Sequence, residues 1–137
     1  MKETLRVLVI DAQGGGVGKQ LVAAIRQSVP SAVITAVGTN SAATTAMMKA
    51  GADSAATGEN AVVVGCRSAD VIMGPIGIAI ADSMLGEISP AMAAAVGRST
   101  ATRILIPFNH CSTVIVGAPE QSMKSLIAAA VEQLKRL

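Results

Sequence analysis

The sequence is almost without aromatic residues: it has no tryptophan and no tyrosine, and Phe108 stands alone. Single-stranded nucleic-acid binding, which stacks bases on aromatic rings, has no platform here. Basic runs are missing too. Eleven Lys and Arg are scattered against nine Asp and Glu, leaving a formal charge of +2, too weak a field to hold a phosphate backbone. The two cysteines, Cys66 and Cys111, lie far apart and outside any CxxC pairing. Neither a zinc site nor a disulfide framework is indicated, and a reducing cytosol is expected. No apolar run approaches the ~20 residues of a membrane span. The amino terminus leads straight into a strand of about five residues, too short for a signal-peptide core. These absences predict a cytoplasmic chain with no metal site and with neither nucleic-acid nor membrane partners.

What is present is a composition that is 51% hydrophobic, built from Ala, Val, Ile, Leu and seven Met. At 137 residues the chain is expected to form a single domain, residues 1–137, that buries roughly two-thirds of its unfolded surface. Small side chains predict close packing of helix on sheet.

Residues 7–22 organise the rest. There an apolar strand passes through a glycine cluster into an amphipathic helix. Gly14, Gly15, Gly16 and Gly18 let the backbone reach positive φ and bring bare N–H groups against a ligand. Those groups and the positive end of the helix dipole favour an anion. Lys19, in the first helical turn, opposes the dipole unless an anion is present and so belongs to the same reading. The expected ligand is a small molecule carrying a phosphate or other anion, with a nucleotide or dinucleotide as candidate cofactor.

Three phosphate-loop patterns overlie this stretch, and each departs from it somewhere. The P-loop pattern meets Gly18-Lys19 but finds Gln13 in place of its first glycine and Gln20 in place of its Mg²⁺-binding hydroxyl. The loop resembles the Gly-Gly-Val-Gly-Lys core of the partitioning-type ATPases, yet Gln13 replaces their signature lysine. Asp70 also begins its strand, where a Walker B aspartate ends one. The fingerprint G-x-G-x-x-G, started at Gly14 and Gly16, puts Lys19 at its third glycine. A looser frame of Ala12, Gly15 and Gly18 resembles the extended short-chain reductases. Strand two should then end in an acid for the ribose; it ends in Thr39-Asn40, although Asn40 and Ser41 can still hydrogen-bond a ribose or a second anion. The alternative throughout is that the glycines simply let helix one pack closely on strand one.

Strands are predicted at 5–10, 32–37, 53–56, 70–73 and 103–106, and helices at 17–28, 42–49 and 121–136; the run 61–66 is ambiguous, its three valines favouring strand and the need for a crossover favouring a short helix, which is the preferred reading. Residues 76–98 read as two helical pieces broken at 85–87, the second with Ser89 as N-cap and Pro90 at its first position. The apolar run 113–116 follows strand five too closely for a parallel crossover, which needs roughly a dozen residues. It is expected to pair antiparallel or to bend away as an edge strand. The predicted fold is α/β: a three-layer, doubly wound, mostly parallel Rossmann-like sheet with an antiparallel edge strand at its C-terminal end.

Ligands of such sheets gather beyond the carboxyl ends of the strands, and the unusual polar residues fall there. Gly14, Gly15, Gly16, Gly18, Lys19, Thr39, Asn40 and Ser41 are expected to hold the cofactor. Asp11 and Gln13 follow strand one. Gln13, Thr57, Gly58, Glu59, Asn60, Gly74 and Pro75 are expected to meet the substrate, residues 57–60 forming a polar loop. Glu59 is the candidate acid or base. In Asn109-His110-Cys111 a nucleophile pair is suggested, but adjacent side chains of an extended segment point to opposite sides, and the thiol needs a base within reach. Asp82 and Glu87 interrupt the otherwise uncharged residues 74–96. Either they face water at helix ends, or this apolar region packs on a second subunit.

The motifs Gln13-Gly-Gly-Gly-Val-Gly-Lys19, Gly38-Thr-Asn-Ser41, Lys49-Ala-Gly-Ala52, Thr57-Gly-Glu-Asn60, Gly74-Pro-Ile-Gly77 and Ser83-Met-Leu-Gly-Glu87 together resemble a bacterial family, domain of unknown function 3842, over nearly the whole chain. The resemblance implies a small Rossmann-like protein and transfers no reaction and no catalytic residue. Two functions stand side by side: a protein that binds a nucleotide or phosphorylated small molecule, and a non-catalytic regulatory or assembly protein that dimerises through residues 74–96.

Overall fold

Strand residues alternate between two apolar faces, and the helices sort themselves accordingly. The computed structural model describes residues 4–107 and 112–137. In chain order it runs β1 (Arg6–Asp11), α1 (Gly16–Ser28), β2 (Val33–Gly38), α2 (Ser41–Lys49), β3 (Ser54–Thr57), α3 (Glu59–Ser68), β4 (Val71–Pro75), a 3₁₀ turn (Ile76–Ala79), α4 (Pro90–Arg98), β5 (Thr102–Ile106) and α5 (Met123–Lys135). One five-stranded sheet in the order β3-β2-β1-β4-β5 results, with every pairing parallel.

Val7 and Val9 face one side with Leu21, Val22 and Ile25 of α1, Met47 of α2 and Leu134 of α5. Leu8 and Ile10, one residue out of phase, face the other with Val62 of α3, Ile78, Ile88, and Met92 and Val96 of α4. The period-two alternation thus builds a three-layer α/β/α core. Each aliphatic side chain taken fully out of water stabilises it by about 1.5–3 kcal/mol. Asn40, Ser89 and Ser122 cap α2, α4 and α5 with their side chains, and Pro90 stands at the first position of α4 as its sequence predicts. The ambiguous run 61–66 is helix, inside α3.

The chain winds from β1 through β2 to β3 on one side, then crosses to β4 and β5 on the other. A crevice at the C-terminal ends of β1 and β4 is therefore the topological switch point, where open α/β sheets hold ligands.

Three expectations are corrected. Residues 113–116 form no strand: Val114 is 83% and Val116 94% exposed, so their alternation has no sheet behind it, and the segment only leads from β5 to α5, whose Ile127, Val131 and Leu134 cover the sheet. The first helical piece of 76–98 shrinks to one 3₁₀ turn. Beyond it Asp82, Met84, Leu85 and Gly86 all take positive φ, and the buried Ser83 hydroxyl donates to the Gly77 carbonyl at 2.5 Å, closing a loop on itself. The supposed polar loop 57–60 is split, because Thr57 ends β3, Gly58 caps α3 and Glu59 starts the helix. Among the described residues no helix is long and apolar enough to cross a membrane.

Candidate functional site

The start of α1 lacks a side-chain cap of its own, since Gly15 occupies the N-cap with φ 73. Asp11, the last residue of β1, supplies the missing acceptor from across the loop. Its Oδ2 accepts the Gly18 N–H at 2.6 Å and its Oδ1 the Ala12 N–H at 2.8 Å. The carboxylate is only 4% exposed. Burial pushes its pKa above the ordinary aspartate range, against the N–H groups of Gly18, Ala12 and Val17, and the nearby Glu87 charge pushes the same way. The anion favoured by the dipole of α1 is thus an internal one.

A second carboxylate reaches the same edge from the loop between β4 and α4. Glu87 Oε1 accepts from the Thr39 hydroxyl at 2.6 Å, the Asn40 amide at 2.9 Å and the Gln13 N–H at 2.9 Å. Burial works against this charge, but the three hydrogen bonds outweigh it and hold the carboxyl below the ordinary glutamate range. Strand two does lack a terminal acid of its own, yet an acid stands at its end, delivered from residue 87. Asn40 is fixed from several sides: its Oδ1 accepts the Ala43 N–H at 2.9 Å, and its amide also donates to the Gln13 carbonyl at 2.9 Å.

Beside these groups, at the switch point, lies a cavity of about 390 Å³ lined by Asp11 and the loop 12–17, Gln20, Pro75, Gly77, Met84 and Met123. The four loop glycines divide over it. A Cβ on Gly15 would come within 2.9 Å of the Ala43 Cα, and one on Gly18 would meet the Met47 sulfur at 2.6 Å and the Asp11 Cβ at 2.8 Å. Those two glycines are required by packing. On Gly14 or Gly16 a Cβ would meet nothing within 4 Å, and among the described residues no protein acceptor takes either N–H.

The family model described as Domain of unknown function (DUF3842) matches residues 6–137. The chain belongs to this family. Among solved structures, a dodecameric FMN-dependent UbiX-like decarboxylase from Escherichia coli O157:H7 matches with 15% identity and a TM-score of 0.48, over 96% of this chain and 95% of that one. No curated protein matches the chain.

In this DUF3842 chain the remaining sequence candidates scatter. Lys19 is exposed and lines a separate groove between α1 and α2 with Ser41, Thr45 and Lys49, so it stands outside the cavity. A lysine that opposes the helix dipole needs no ligand when Asp11 already answers the dipole. The Glu59 carboxylate accepts the Ser89 hydroxyl at 2.5 Å, joining the start of α3 to the cap of α4 away from the cavity lining. Thr57 hydrogen-bonds Thr44 at 2.7 Å, and Asn60 is exposed on the first turn of α3. Of the pair Gly74-Pro75, the proline lines the cavity, whereas a Cβ on Gly74 would run into the Ile10 carbonyl oxygen. Asn109, His110 and Cys111 lie outside the described residues. Much of 74–96 enters the chain's own core through Ile78, Ile88, Met92, Ala93 and Val96, which explains its apolar character without a second subunit. The residues that sequence reasoning undervalued are Asp11 and Glu87. The signal available was a lone acid at the edge of a glycine turn: Asp11 ends an aliphatic strand three residues before Gly14, and Glu87 directly follows Gly86.

Proposed function

We propose that the protein binds a nucleotide or another phosphorylated small molecule at the β1–β4 switch point, with the N–H groups of Gly14 and Gly16 meeting the phosphate. The observation that carries this reading is the division of the loop glycines. Two are needed for packing, and the two that are not line the cavity with their N–H groups unclaimed by described residues. A backbone without Cβ admits close approach of a ligand, and a volume of about 390 Å³ lies within the range of small-molecule sites. The apolar walls Val17, Pro75, Met84 and Met123 suit a flat ring such as a base. Lys19, Ser41 and Glu59 leave the site in this reading. For acid-base chemistry Asp11 replaces Glu59 as the candidate, because it lines the cavity and burial raises its pKa above the ordinary aspartate range.

A thermal-shift panel of nucleotides and phosphorylated metabolites tests the reading. A ligand at about 100 times its Kd should raise Tm by about 10 °C, and Gly14→Val or Gly16→Val should abolish that rise while leaving the unliganded Tm nearly unchanged. A panel without any shift, or valine variants that bind as wild type does, would overturn it.

Leu85, Val114 and Val116, which are 97%, 83% and 94% exposed, favour a second reading in which the chain assembles with itself by covering such exposed apolar side chains. Light scattering after size exclusion decides it, since a strict monomer at micromolar concentration removes that reading.

A further inference from the structure

The donors that converge on Glu87 make a niche for an anion, and the anion they hold is the protein's own. We propose that the niche formed by the Gln13 N–H, the Thr39 hydroxyl and the Asn40 amide is an anion subsite for the ligand. The Glu87 carboxylate keeps it closed until a phosphate or carboxylate group of that ligand displaces it and frees the turn 84–87, which lies between the buried Ser83 and Ile88. This inference rests on the ligand reading above and adds to it a second anchoring point and a moving part.

The niche does not depend on Glu87 for its shape. Asn40 stays oriented by the Ala43 N–H and the Gln13 carbonyl, and the Thr39 N–H donates to the Asp11 carbonyl at 3.1 Å. Three preorganised donors would remain pointed at one spot if the carboxylate left. Gln13 belongs to both places: it lines the cavity and gives its N–H to Glu87. A ligand whose phosphate meets Gly14 and Gly16 therefore has the niche next to it. A phosphate, with more negative charge and three acceptor oxygens, is a stronger acceptor for these donors than the carboxylate it displaces.

The loop that carries Glu87 is anchored by the buried Ser83 and Ile88, and between them it has few polar ties. Among the described residues, the Glu87 carboxylate makes the hydrogen bonds that tie residues 80–88 to the rest of the chain. The others run within residues 77–88, such as Asp82 N–H to the Ile88 carbonyl at 2.7 Å and Gly86 N–H to the Asp82 carbonyl at 3.2 Å. Asp82, Met84 and Leu85, none of them glycine, hold φ of 64, 55 and 58, a strained region for such residues. Leu85 at its tip is 97% exposed, and Met84 forms part of the cavity wall. Displacing Glu87 removes the polar ties of the turn and lets that wall move.

The test uses the full chain with ADP as probe and adenosine as its uncharged control. A site occluded by its own side chain binds with an affinity reduced by the open fraction. Glu87→Ala should thus bind ADP about tenfold more tightly than wild type by calorimetry, with adenosine gaining nothing. Glu87→Gln, which keeps an acceptor oxygen for the three donors but no charge, should fall between and guards against misfolding of the alanine variant. In wild type, ADP should speed amide exchange at Gly86 and Glu87. Weaker ADP binding by Glu87→Ala would make Glu87 a ligand contact and overturn the inference, as would slower exchange with ADP. If wild type and Glu87→Ala bind ADP equally and Gly16→Val abolishes both, the cavity reading stands and this inference alone falls. If neither binds ADP, the inference falls, and the wider panel decides the cavity reading.

Discussion

Asp11 and Glu87 bring two carboxylates to one edge of one sheet, and their environments drive them in opposite directions. Asp11 ends a central strand and is buried to 4% exposure, and the N–H groups that surround it do not compensate for its desolvation. Glu87 rides on a loop, is half-buried, and gathers three donors on a single oxygen, which more than offset its partial desolvation. Burial decides the sign, not the number of partners. The first acid belongs to the fold because it caps α1 where no side chain of α1 does. The second is a clasp between loops.

The largest effect expected from breaking this contrast is that of Asp11→Ala. It leaves the buried N–H groups of Gly18 and Ala12 without an acceptor and should lower stability by about 3 kcal/mol in urea unfolding. Glu87→Ala, whose donors regain water, should lose about 1 kcal/mol. Equal losses would erase the distinction. Next comes Gly18→Ala, which drives a Cβ into Met47 and the Asp11 side chain and should cost about 2 kcal/mol, against no more than about 0.5 kcal/mol for Gly14→Ala.

The smallest effect is in the pH dependence, where the two acids have opposite signs. The folded pKa of Glu87 lies below its unfolded value, so its contribution is complete above the unfolded value and is lost as pH falls through the folded one. The folded pKa of Asp11 lies above its unfolded value. Its charge therefore lowers stability at neutral pH, and that loss is reversed as pH falls through the raised value toward the unfolded one. Relative to wild type, Glu87→Gln should gain stability on acidification and Asp11→Asn should lose it, each by less than about 1 kcal/mol. Unfolding curves across the acid range check both slopes.

The sheet was legible because its signals are local. Unbroken aliphatic runs mark β1 and β4, Gly51 closes α2 at φ 120, and Ser89-Pro90 starts α4 where cap chemistry says it should. The run 113–116 misled because alternation reports two unlike faces and not whether a neighbour is there to pair. Residues 80–88 misled for a related reason: apolar spacing suits a helix, while the Ser83 hydroxyl and four positive φ values form a loop. At the site, the glycine loop was readable as a place for negative charge. That the charge at the start of α1 comes from Asp11, and the charge at the end of β2 from a residue 47 positions beyond Asn40, depends on the crossing of chain segments that no local pattern records.

The cavity wall carries its own reporters. Met84 comes from the loop held by Glu87 and Met123 from the first residue of α5, in a chain of seven methionines with no tryptophan or tyrosine. Isotope-labelled methionine methyl groups would give a sparse, ring-current-poor spectrum in which these two signals separate two events. A ligand that only fills the cavity perturbs Met84 and Met123 together, whereas opening of the loop without a ligand, as in Glu87→Ala, shifts Met84 and leaves Met123 in place.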